Sequence, residues 1–355
     1  MHTFWDNLPQ PFFILAPMEA VTDVVFRHVV KRASAPDVFF TEFANATGWV
    51  HAGDKAIAGR LVKTDDEHPL VAQIWGGEPG DMEQFAAHCA KLGFDGIDIN
   101  MGCPAKSAIK SGGAALIRRP DVAVAAIAAA KTANLPVSVK TRLGYTHVDE
   151  WREWLTTILQ QDIVNLTIHL RTKKEMSKAP AHYELIDDII KLRDEIAPQT
   201  LLTINGDIRD RAHGEELARQ HPGINGLMIG RGIFSDPFCF AYTGARASQK
   251  TIRDPREVAQ IFSETPLAPT NAHAEPEVEN NSLPAITNHK QELIKLLNYH
   301  LDLFDRYQPT LDRPFETLKR FFKIYIRDFD GAKELREQLM NTKNTDEVRQ
   351  LINSN

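Results

Sequence analysis

The sequence predicts an α/β protein in which a (β/α)8 TIM barrel is followed by an all-helical C-terminal domain. Eight short apolar, β-branched runs alternate with segments of helical spacing between residues 13 and 230. This length suits a barrel, which typically takes about 250 residues. An open doubly wound sheet is the alternative architecture, but polar residues at the ends of all eight runs favour a barrel with one shared mouth.

The eight predicted strands are nearly continuous apolar runs, as expected of parallel strands that helices cover. They span residues 13–17, 38–43, 70–75, 96–100, 136–140, 166–169, 201–205 and 226–230. In a barrel, the carboxyl ends of the strands converge on one face, which is where active sites lie. The residues found at or just past these ends are Pro17, Met18, Glu19, Glu42, Gln73, Asn100, Lys140, His169, Asn205, Gly230 and Arg231.

The segments between the strands have the spacing of helices that pack on a sheet. DMEQFAAHCAKLG (81–93) places Phe85, Cys89 and Leu92 on one face and ends at a glycine. PDVAVAAIAAAK (120–131) is apolar nearly all round, and YELIDDIIKLRDEI (183–196) repeats the one-sided pattern.

Composition excludes several classes of protein. The 355 residues are 43% hydrophobic and 25% charged, with a net charge of -6, so nucleic acid could be attracted only by a local basic patch. The three cysteines form no C-x-x-C pair, which argues against a zinc site or a disulfide framework and suits a reducing compartment. We see no signal peptide and no apolar run long enough to span a membrane, and we therefore expect a cytoplasmic monomer without metal.

The pattern of strands and helices ends after the eighth unit. We assign residues 1–242 to the barrel and 243–288 to a linker, whose part 264–288 has four prolines, four glutamates and no Lys or Arg. Residues 289–355 form the helical domain, with amphipathic helices expected at 289–307, 313–329 and 331–340.

Cys103 stands between a glycine and a proline, directly after the strand predicted at 96–100. A lone cysteine is usually a small buried side chain without chemistry, and Cys89 and Cys239 fit that description. Cys103 differs because the loop after a barrel strand faces the mouth, where a thiol can serve as nucleophile or as proton donor. No local signature of a cysteine nucleophile with its base is present, which favours the proton donor.

Lys140 and His169 each close a predicted strand. A lysine at a barrel mouth can form a Schiff base, clamp a phosphate or lie beside a flavin ring; the alternative is a lysine that extends into solvent. NGDIRD (205–210) and IGRGIF (229–234) follow the last two strands, where barrels often bind phosphate through glycine N–H groups. Since there is no G-x-G-x-x-G fingerprint and no P-loop, a mononucleotide such as FMN is the expected cofactor.

Together these motifs resemble the tRNA-dihydrouridine synthases, FMN enzymes that reduce a uracil base in tRNA. In the barrel the resemblance is carried by LAPMEAVTDVVFR, TEF, AQIWG, DGIDINMGCPAKSAIKSGGAALI, VSVKTRLG, IHLRTKKEMSK, INGDI and MIGRGIF. In the tail it is carried by KRFFKIYIRDFDGAKELR. It covers residues 14–240 and 290–338, approximately, and the combination is specific although no single motif is.

The resemblance implies a role for each matching residue. Cys103 is the expected catalytic acid, and Glu42, Asn100, Lys106 and Arg142 are expected to contact the substrate. The residues expected to bind FMN are Pro17, Met18, Glu19, Gln73, Lys140, His169, Asn205, Gly206, Asp207, Gly230 and Arg231.

The implied reaction moves a hydride from reduced FMN to C6 of uracil and a proton from Cys103 to C5, with NADPH regenerating the flavin. A thiol with a pKa of about 8.5 stays protonated at neutral pH and can donate that proton. The base reaches a barrel mouth only by leaving its stack, so the rest of the tRNA must be bound elsewhere. Residues 313–327 have a local charge of +4 and are the expected phosphate-binding face, through Arg313, Lys319, Arg320, Lys323 and Arg327.

Two features depart from the family pattern. Leu170 follows His169 where the family usually has glycine, and the 264–288 segment is longer than the usual connection. Two other functions therefore stay open. One is a dihydroorotate- or dihydropyrimidine-type flavoenzyme acting on a free base, against which the basic tail argues. The other is a tRNA-binding paralogue with impaired catalysis, against which Cys103 and Lys140 argue.

Overall fold

The computed structural model describes residues 2–242 and 285–354, with side chains from residue 289 onward in the second range. Within them the chain forms a parallel barrel and a set of C-terminal helices, which confirms the predicted fold class. The strands are β1 (Phe12–Leu15), β2 (Phe39–Phe40), β3 (Ala44–Asn45), β4 (Leu70–Trp75), β5 (Gly96–Asn100), β6 (Val137–Arg142), β7 (Asn165–His169), β8 (Leu201–Asn205) and β9 (Gly226–Ile229).

Every strand pairs in parallel with its neighbours, in the order β1-β9-β8-β7-β6-β5-β4-β2. A bridge between Ile14 and Val38 joins the two ends of this path and closes the barrel. The short β3 pairs with the far end of β4. The strand predicted at 38–43 is therefore shortened to β2, and Glu42 lies in the irregular segment between β2 and β3.

Helices alternate with the strands as predicted. They are α1 (Val24–Ser34), α2 (Ala46–Ala52), α3 (Asp54–Ile57), α4 (Pro79–Lys91), α5 (Pro120–Lys131), α6 (Trp151–Leu159), α7 (Ile186–Ile196), α8 (Arg211–Gln220) and α9 (Gly232–Ser235). Their starts follow the usual capping chemistry. Asp23 accepts a 2.9 Å bond from the N–H of Phe26 at the start of α1, and a proline opens both α4 and α5.

The barrel interior is apolar on the side of β1, β2, β4 and β9 and polar on the side of β5 to β8. Its apolar part is a separate cluster of buried side chains: Trp5, Phe12, Ile14, Ala16, Val38, Phe40, Val71 and Met228. On β5 to β8, buried polar side chains pair with one another. Ser138 donates to Asp98 and Thr203 donates to Asn165, each at 2.7 Å. A buried polar layer of this kind is tolerated because its members satisfy each other.

The C-terminal helices are α10 (Ala285–Leu311), α11 (Phe322–Tyr325), α12 (Ala332–Met340) and α13 (Thr345–Asn353). They pack on the barrel through α1, where the Phe26 and Phe321 rings lie 4.8 Å apart. His300 of α10 is buried and shares a 2.7 Å hydrogen bond with the hydroxyl of Tyr325. The helical region is thus fixed to one side of the barrel near its first loop.

The continuous amphipathic helix predicted over 313–329 is wrong. The segment is instead a 3-10 helix from Phe315 to Phe321, followed by the single turn of α11. The reason is that residues 321, 322, 324, 325 and 326 are all buried around the exposed Lys323, so the buried positions extend well beyond one helical face. A one-sided helix cannot bury so many successive positions.

Most of the predicted linker at 243–288 lies outside the described residues, so the domain boundaries stay predictions. None of the helices in the described ranges contains a stretch long and apolar enough to cross a bilayer.

Candidate active site

A large cavity opens at the carboxyl ends of the barrel strands, with a volume of about 910 Å³. Pockets that bind cofactors or small ligands usually measure about 300–1,000 Å³. Its walls include all eleven residues predicted to bind the cofactor: Pro17, Met18, Glu19, Gln73, Lys140, His169, Asn205, Gly206, Asp207, Gly230 and Arg231. Cys103, Asn100 and Arg142 line it as well.

The loop that carries Cys103 is held by hydrogen bonds to its backbone. The side-chain oxygen of Asn100, at the end of β5, accepts from the N–H of Gly102 at 3.1 Å and of Cys103 at 2.9 Å. The carbonyl of Cys103 accepts from the N–H of Ala114 at 3.0 Å. Gly113 makes this close approach possible, because it has a φ of 57° and a Cβ there would lie 2.9 Å from that carbonyl oxygen.

Cys103 is half-buried at the cavity wall, whereas Cys89 and Cys239 are fully buried in the core. Burial raises the pKa of the Cys103 thiol, and the nearby charges of Arg142 and Lys140 oppose this rise without cancelling it. The thiol is therefore protonated at neutral pH. A protonated thiol at a cavity wall can donate a proton but is a poor nucleophile.

A chain of buried side chains leads from the barrel interior to this loop. Asp98 accepts from the amide of Gln73 at 2.7 Å, and Gln73 accepts in turn from the amide of Asn100 at 3.0 Å. Burial raises the pKa of Asp98 to about 6, although Ser138 and Gln73 both donate to it. Because the carboxylate can only accept, it fixes which way both amides point.

Lys140 is a half-buried cation of the cavity wall. Its ammonium donates to the side-chain oxygen of Asn205 at 3.1 Å, and Asn205 donates to the carbonyl of Met228 at 2.8 Å. Burial, together with the nearby Arg142, lowers the pKa of Lys140 to about 8. Lys140 thus has an ammonium with spare donors that face the cavity and lack a carboxylate partner among the described residues.

His169 is held neutral. Burial and the surrounding cations, Arg142 and Lys140 foremost, keep its pKa far below the usual range. The guanidinium of Arg171 lies 3.0 Å from Nε2 of His169. Since a guanidinium can only donate, Nε2 is the acceptor and the ring proton is on Nδ1.

Asp207 lies between two arginines at the mouth. It pairs with Arg171, and its other oxygen accepts from Arg231 at 2.8 Å. Burial alone would raise the pKa of Asp207, but the bond from Arg171 and the N–H of Ala181 hold it below its usual range. Gly206 has a φ of 124°, and a Cβ there would lie 3.2 Å from the His169 ring.

Arg142 was predicted to contact the substrate, and its guanidinium is already engaged with backbone. It donates to the carbonyls of Gly102 at 2.7 Å, Thr172 at 3.1 Å and Met176 at 2.8 Å. Arg142 thereby joins the Cys103 loop to the loop after β7. Burial lowers its pKa to about 10, so it stays charged.

Apart from Asn100 and Arg142, the predicted substrate residues do not line the cavity. Glu42 is fully buried and pairs with Arg313, while Lys106 is exposed in the Cys103 loop. Arg320 donates to the carbonyl of Ala20, and Arg327 to that of Ser235. The two remaining tail cations also contact protein: Lys319 donates to the carbonyl of Met340, and Lys323 lies over the Phe234 ring.

Several lining residues were not predicted from the sequence, among them Phe43, Arg171, Ser177 and Arg209. Arg171 is the most informative of them, because it contacts both His169 and Asp207. Its place at the site could have been predicted from the sequence, because it lies two positions after a strand-terminal histidine.

Leu170, which stands where the resemblance implies glycine, points away from the cavity. Its side chain is fully buried in the core, and its N–H donates to the carbonyl of Asn205 at 3.0 Å. The leucine therefore changes the packing behind the site and leaves the cavity wall unaltered. Within the described ranges, His, Cys, Asp and Glu side chains form no cluster of three that could bind a metal.

Comparisons with known proteins show which family the chain resembles over nearly its whole length. The model of the dihydrouridine synthase (Dus) family matches residues 14–355. The "Probable tRNA-dihydrouridine synthase 2" of Bacillus subtilis (strain 168) is 53% identical over 351 residues, 98% of this chain and 95% of that protein. The "Probable tRNA-dihydrouridine synthase" of Staphylococcus aureus (strain Mu50 / ATCC 700699) is 51% identical over 351 residues, 98% of this chain and 94% of that protein.

Among solved structures, morphinone reductase in complex with tetrahydroNAD aligns with 66% of this chain and 86% of its own, at 12% identity and a TM-score of 0.44. The family model, by contrast, matches nearly the whole sequence, from the first strand to the last residue. The chain therefore belongs to the dihydrouridine synthase family.

Proposed function

We propose that this protein is a tRNA-dihydrouridine synthase that reduces a uridine in tRNA, with FMN as cofactor and NADPH as reductant. The observation that carries the proposal is the position of Cys103. Its protonated thiol lies at the wall of a cavity lined by every residue that the family resemblance assigns to the flavin.

The donors and acceptors of the cavity fit a flavin mononucleotide. Lys140 and the Nδ1–H of neutral His169 offer donors to the polar edge of the ring, beside Gln73. Gly206, Gly230 and Arg231 offer backbone N–H groups and a guanidinium, which suit a phosphate. When bound, the flavin supplies the hydride that is added to C6 of the uracil.

The protein supplies the proton. Charge develops at C5 and on the C4 carbonyl of the uracil as C6 is reduced, and a nearby acid completes the reaction by protonating C5. Burial keeps the Cys103 thiol protonated, and its backbone is fixed by the bond that its N–H donates to Asn100 and the bond that its carbonyl accepts from Ala114. A fixed acid with its proton in place is what general acid catalysis requires.

The tRNA requires cations outside the cavity. The loops 104–119 and 170–180 flank the mouth and have local charges of +4 and +3. Within the described residues, the exposed Lys106, Lys110 and Lys174 form no ion pair. The two loops are joined by Tyr145, whose ring lies 3.8 Å from the Arg118 guanidinium and 4.8 Å from the Lys173 ammonium.

The cations of these loops are better placed for phosphate contacts than most of the basic residues in the C-terminal segment 313–327. Arg313, Arg320 and Arg327 are engaged with acidic side chains or backbone carbonyls. Lys319 and Lys323, although in contact with protein, keep ammonium groups that can also reach a phosphate. We infer that the RNA backbone lies across the two loops and reaches Lys323, because phosphate contacts dominate RNA affinity.

The direct test measures flavin reoxidation under anaerobic conditions. The purified protein is inspected for bound flavin, reduced with NADPH, and mixed with tRNA that lacks dihydrouridine, with orotate as the comparison. We expect flavin reoxidation by tRNA alone. Reoxidation by orotate alone would assign the protein to the enzymes of free pyrimidines, and a protein without flavin would refute the proposal.

A further inference from the structure

Ala20 lies in the loop between β1 and α1, next to two residues that line the cavity, Met18 and Glu19. Its φ of 56° places it in the left-handed region, which is unfavourable for a residue with a Cβ. Such a conformation persists only where the surrounding structure holds it. The loop itself is a tight turn in which the N–H groups of Val21 and Thr22 both donate to the carbonyl of Met18 at 3.1 Å.

Both peptide groups of Ala20 are bound by side chains from outside the loop. Its N–H donates to the carboxylate of Glu42, which comes from the segment between β2 and β3. Its carbonyl accepts from the guanidinium of Arg320 at 3.1 Å. Arg320 belongs to the 3-10 helix of the C-terminal region, so that region contacts the loop directly.

Glu42 is itself held by the C-terminal region. Its side chain is fully buried, and its second oxygen pairs with Arg313. The same guanidinium contacts Asp23 at 3.1 Å, and Asp23 caps the start of α1. Burial raises the pKa of Glu42 to about 7 and Arg313 opposes that rise, so Arg313 helps Glu42 to remain an acceptor.

These contacts differ from the role that the sequence predicts for Arg313 and Arg320. Both were expected to bind tRNA phosphates. Arg313 is only 15% exposed and bridges two carboxylates, those of Asp23 and Glu42. A guanidinium in this position cannot reach a phosphate without leaving two buried acids unpaired, which is strongly unfavourable.

We propose that Arg313 and Arg320 are positioning residues, which hold the β1–α1 loop in the conformation that contacts the flavin. The proposal rests on the function proposed above for its flavin part. Arg320 acts on the Ala20 carbonyl, and Arg313 acts through Glu42 on the Ala20 N–H. The C-terminal region is thus part of the cofactor site, although none of its described residues lines the cavity.

The test compares Arg320→Met and Arg313→Met with a matched control, Lys333→Met. Lys333 is exposed on α12 and carries the same charge within the same region. The first readout is hydrogen–deuterium exchange of peptides that cover residues 17–22, measured in flavin-free protein. The second is the dissociation constant of FMN, measured by fluorescence titration.

We expect exchange of residues 17–22 to become about tenfold faster in each arginine variant, since a hydrogen bond to a charged group is removed. FMN affinity should fall by about tenfold, and the control should match the wild type. Unchanged exchange together with unchanged FMN affinity in Arg320→Met would overturn the proposal.

A second variant, Arg313→Lys, is used if Arg313→Met fails to fold. It keeps the positive charge, but a single ammonium cannot bridge both carboxylates with a guanidinium's geometry. It should give intermediate exchange, and wild-type exchange would count against the role of Arg313.

A third readout separates positioning from RNA binding. The salt dependence of tRNA affinity should be as steep in Arg313→Met as in Lys333→Met. A slope reduced by about one further charge would make Arg313 a phosphate ligand and overturn its positioning role. Failure of the proposed function can be distinguished from failure of the positioning role. If the proposed function is wrong, the wild type binds no FMN, but the exchange experiment still measures how the loop is held.

Discussion

The carboxylate of Asp98 accepts a hydrogen bond from the side-chain amide of Gln73 at 2.7 Å, inside the barrel. Both residues are fully buried. Through Gln73 and Asn100 this pair reaches the N–H of Cys103. A carboxyl group that touches neither the cavity nor Cys103 thus determines how the Cys103 loop is held.

The first prediction concerns this carboxyl group. Asp98→Ala should lower the free energy of unfolding by about 2–3 kcal/mol, since it leaves the Gln73 amide without an acceptor. It should also speed alkylation of Cys103 by iodoacetamide, because the loop loosens; Cys89 and Cys239 are buried and do not interfere. Asp98→Asn is the matched control, and it should react like the wild type because its oxygen still accepts from Gln73. Equal alkylation rates in all three proteins would contradict the prediction.

The second prediction is a pH dependence. Folding raises the pKa of Asp98 from 3.8 to about 6. Its contribution to stability is therefore fully present below pH ~4 and is lost as pH rises through ~6, by about 3 kcal/mol. Asp98→Asn should remove this contribution, so urea titrations should give a stability difference between variant and wild type that changes over this interval. A difference that stays constant from pH 4 to 7 would exclude a perturbed Asp98.

The third prediction separates the two half-reactions. Cys103→Ala should retain FMN and its reduction by NADPH, but lower the rate of flavin reoxidation by tRNA by about 10²–10⁴-fold, as loss of a general acid does. Stopped-flow absorbance measures both steps on one sample. Full activity of the variant would exclude Cys103 as the acid.

The fourth prediction concerns Arg231, whose guanidinium is 65% exposed and donates to Asp207. If it contacts the FMN phosphate, Arg231→Ala should weaken FMN binding by about 10–100-fold, the usual effect of removing a charge-assisted bond. Arg219→Ala removes an exposed, acid-paired arginine of α8 and should leave FMN affinity unchanged. Wild-type affinity in Arg231→Ala would require another phosphate ligand.

The fifth prediction compares the two candidate RNA-binding surfaces. Lys106→Ala, Lys110→Ala, Lys174→Ala and Lys178→Ala, combined, should weaken tRNA binding and reduce its salt slope by about 0.7–0.9 for each phosphate that the variant no longer neutralises. Lys319→Ala with Lys323→Ala should have the smaller effect. Lys91→Ala with Lys191→Ala, on helices that flank the barrel, is the control. The opposite ranking would place the main RNA-binding surface on the C-terminal region.

Most of the barrel was predictable because its signals are local. Seven of the predicted strands begin and end within two residues of those observed, since each is a buried apolar run bounded by polar residues. The strand predicted at 38–43 is the exception. Its residues 41–43 are not part of the observed strand. Glu42 forms a buried ion pair, which no local sequence pattern predicts.

The gathering of the site residues was predictable for the same reason. Residues at the ends of parallel strands must meet at one mouth, and all those predicted for the cofactor line one cavity. What the sequence could not reveal is which charges are already paired. Arg313 and Arg320 look like free cations in the sequence, yet each contacts a residue at least 271 positions away. Long-range pairing of this kind leaves no trace in spacing or composition.

The contacts of Ala20 also set an order of events during synthesis. Its left-handed turn belongs to the first loop of the barrel, but Arg320, which binds its carbonyl, follows 300 residues later. Ribosomes add about 5–20 residues per second, so the nascent barrel waits at least several seconds for this partner. A chain that ends before residue 313 would therefore contain the whole barrel and still lack both arginines that hold its first loop.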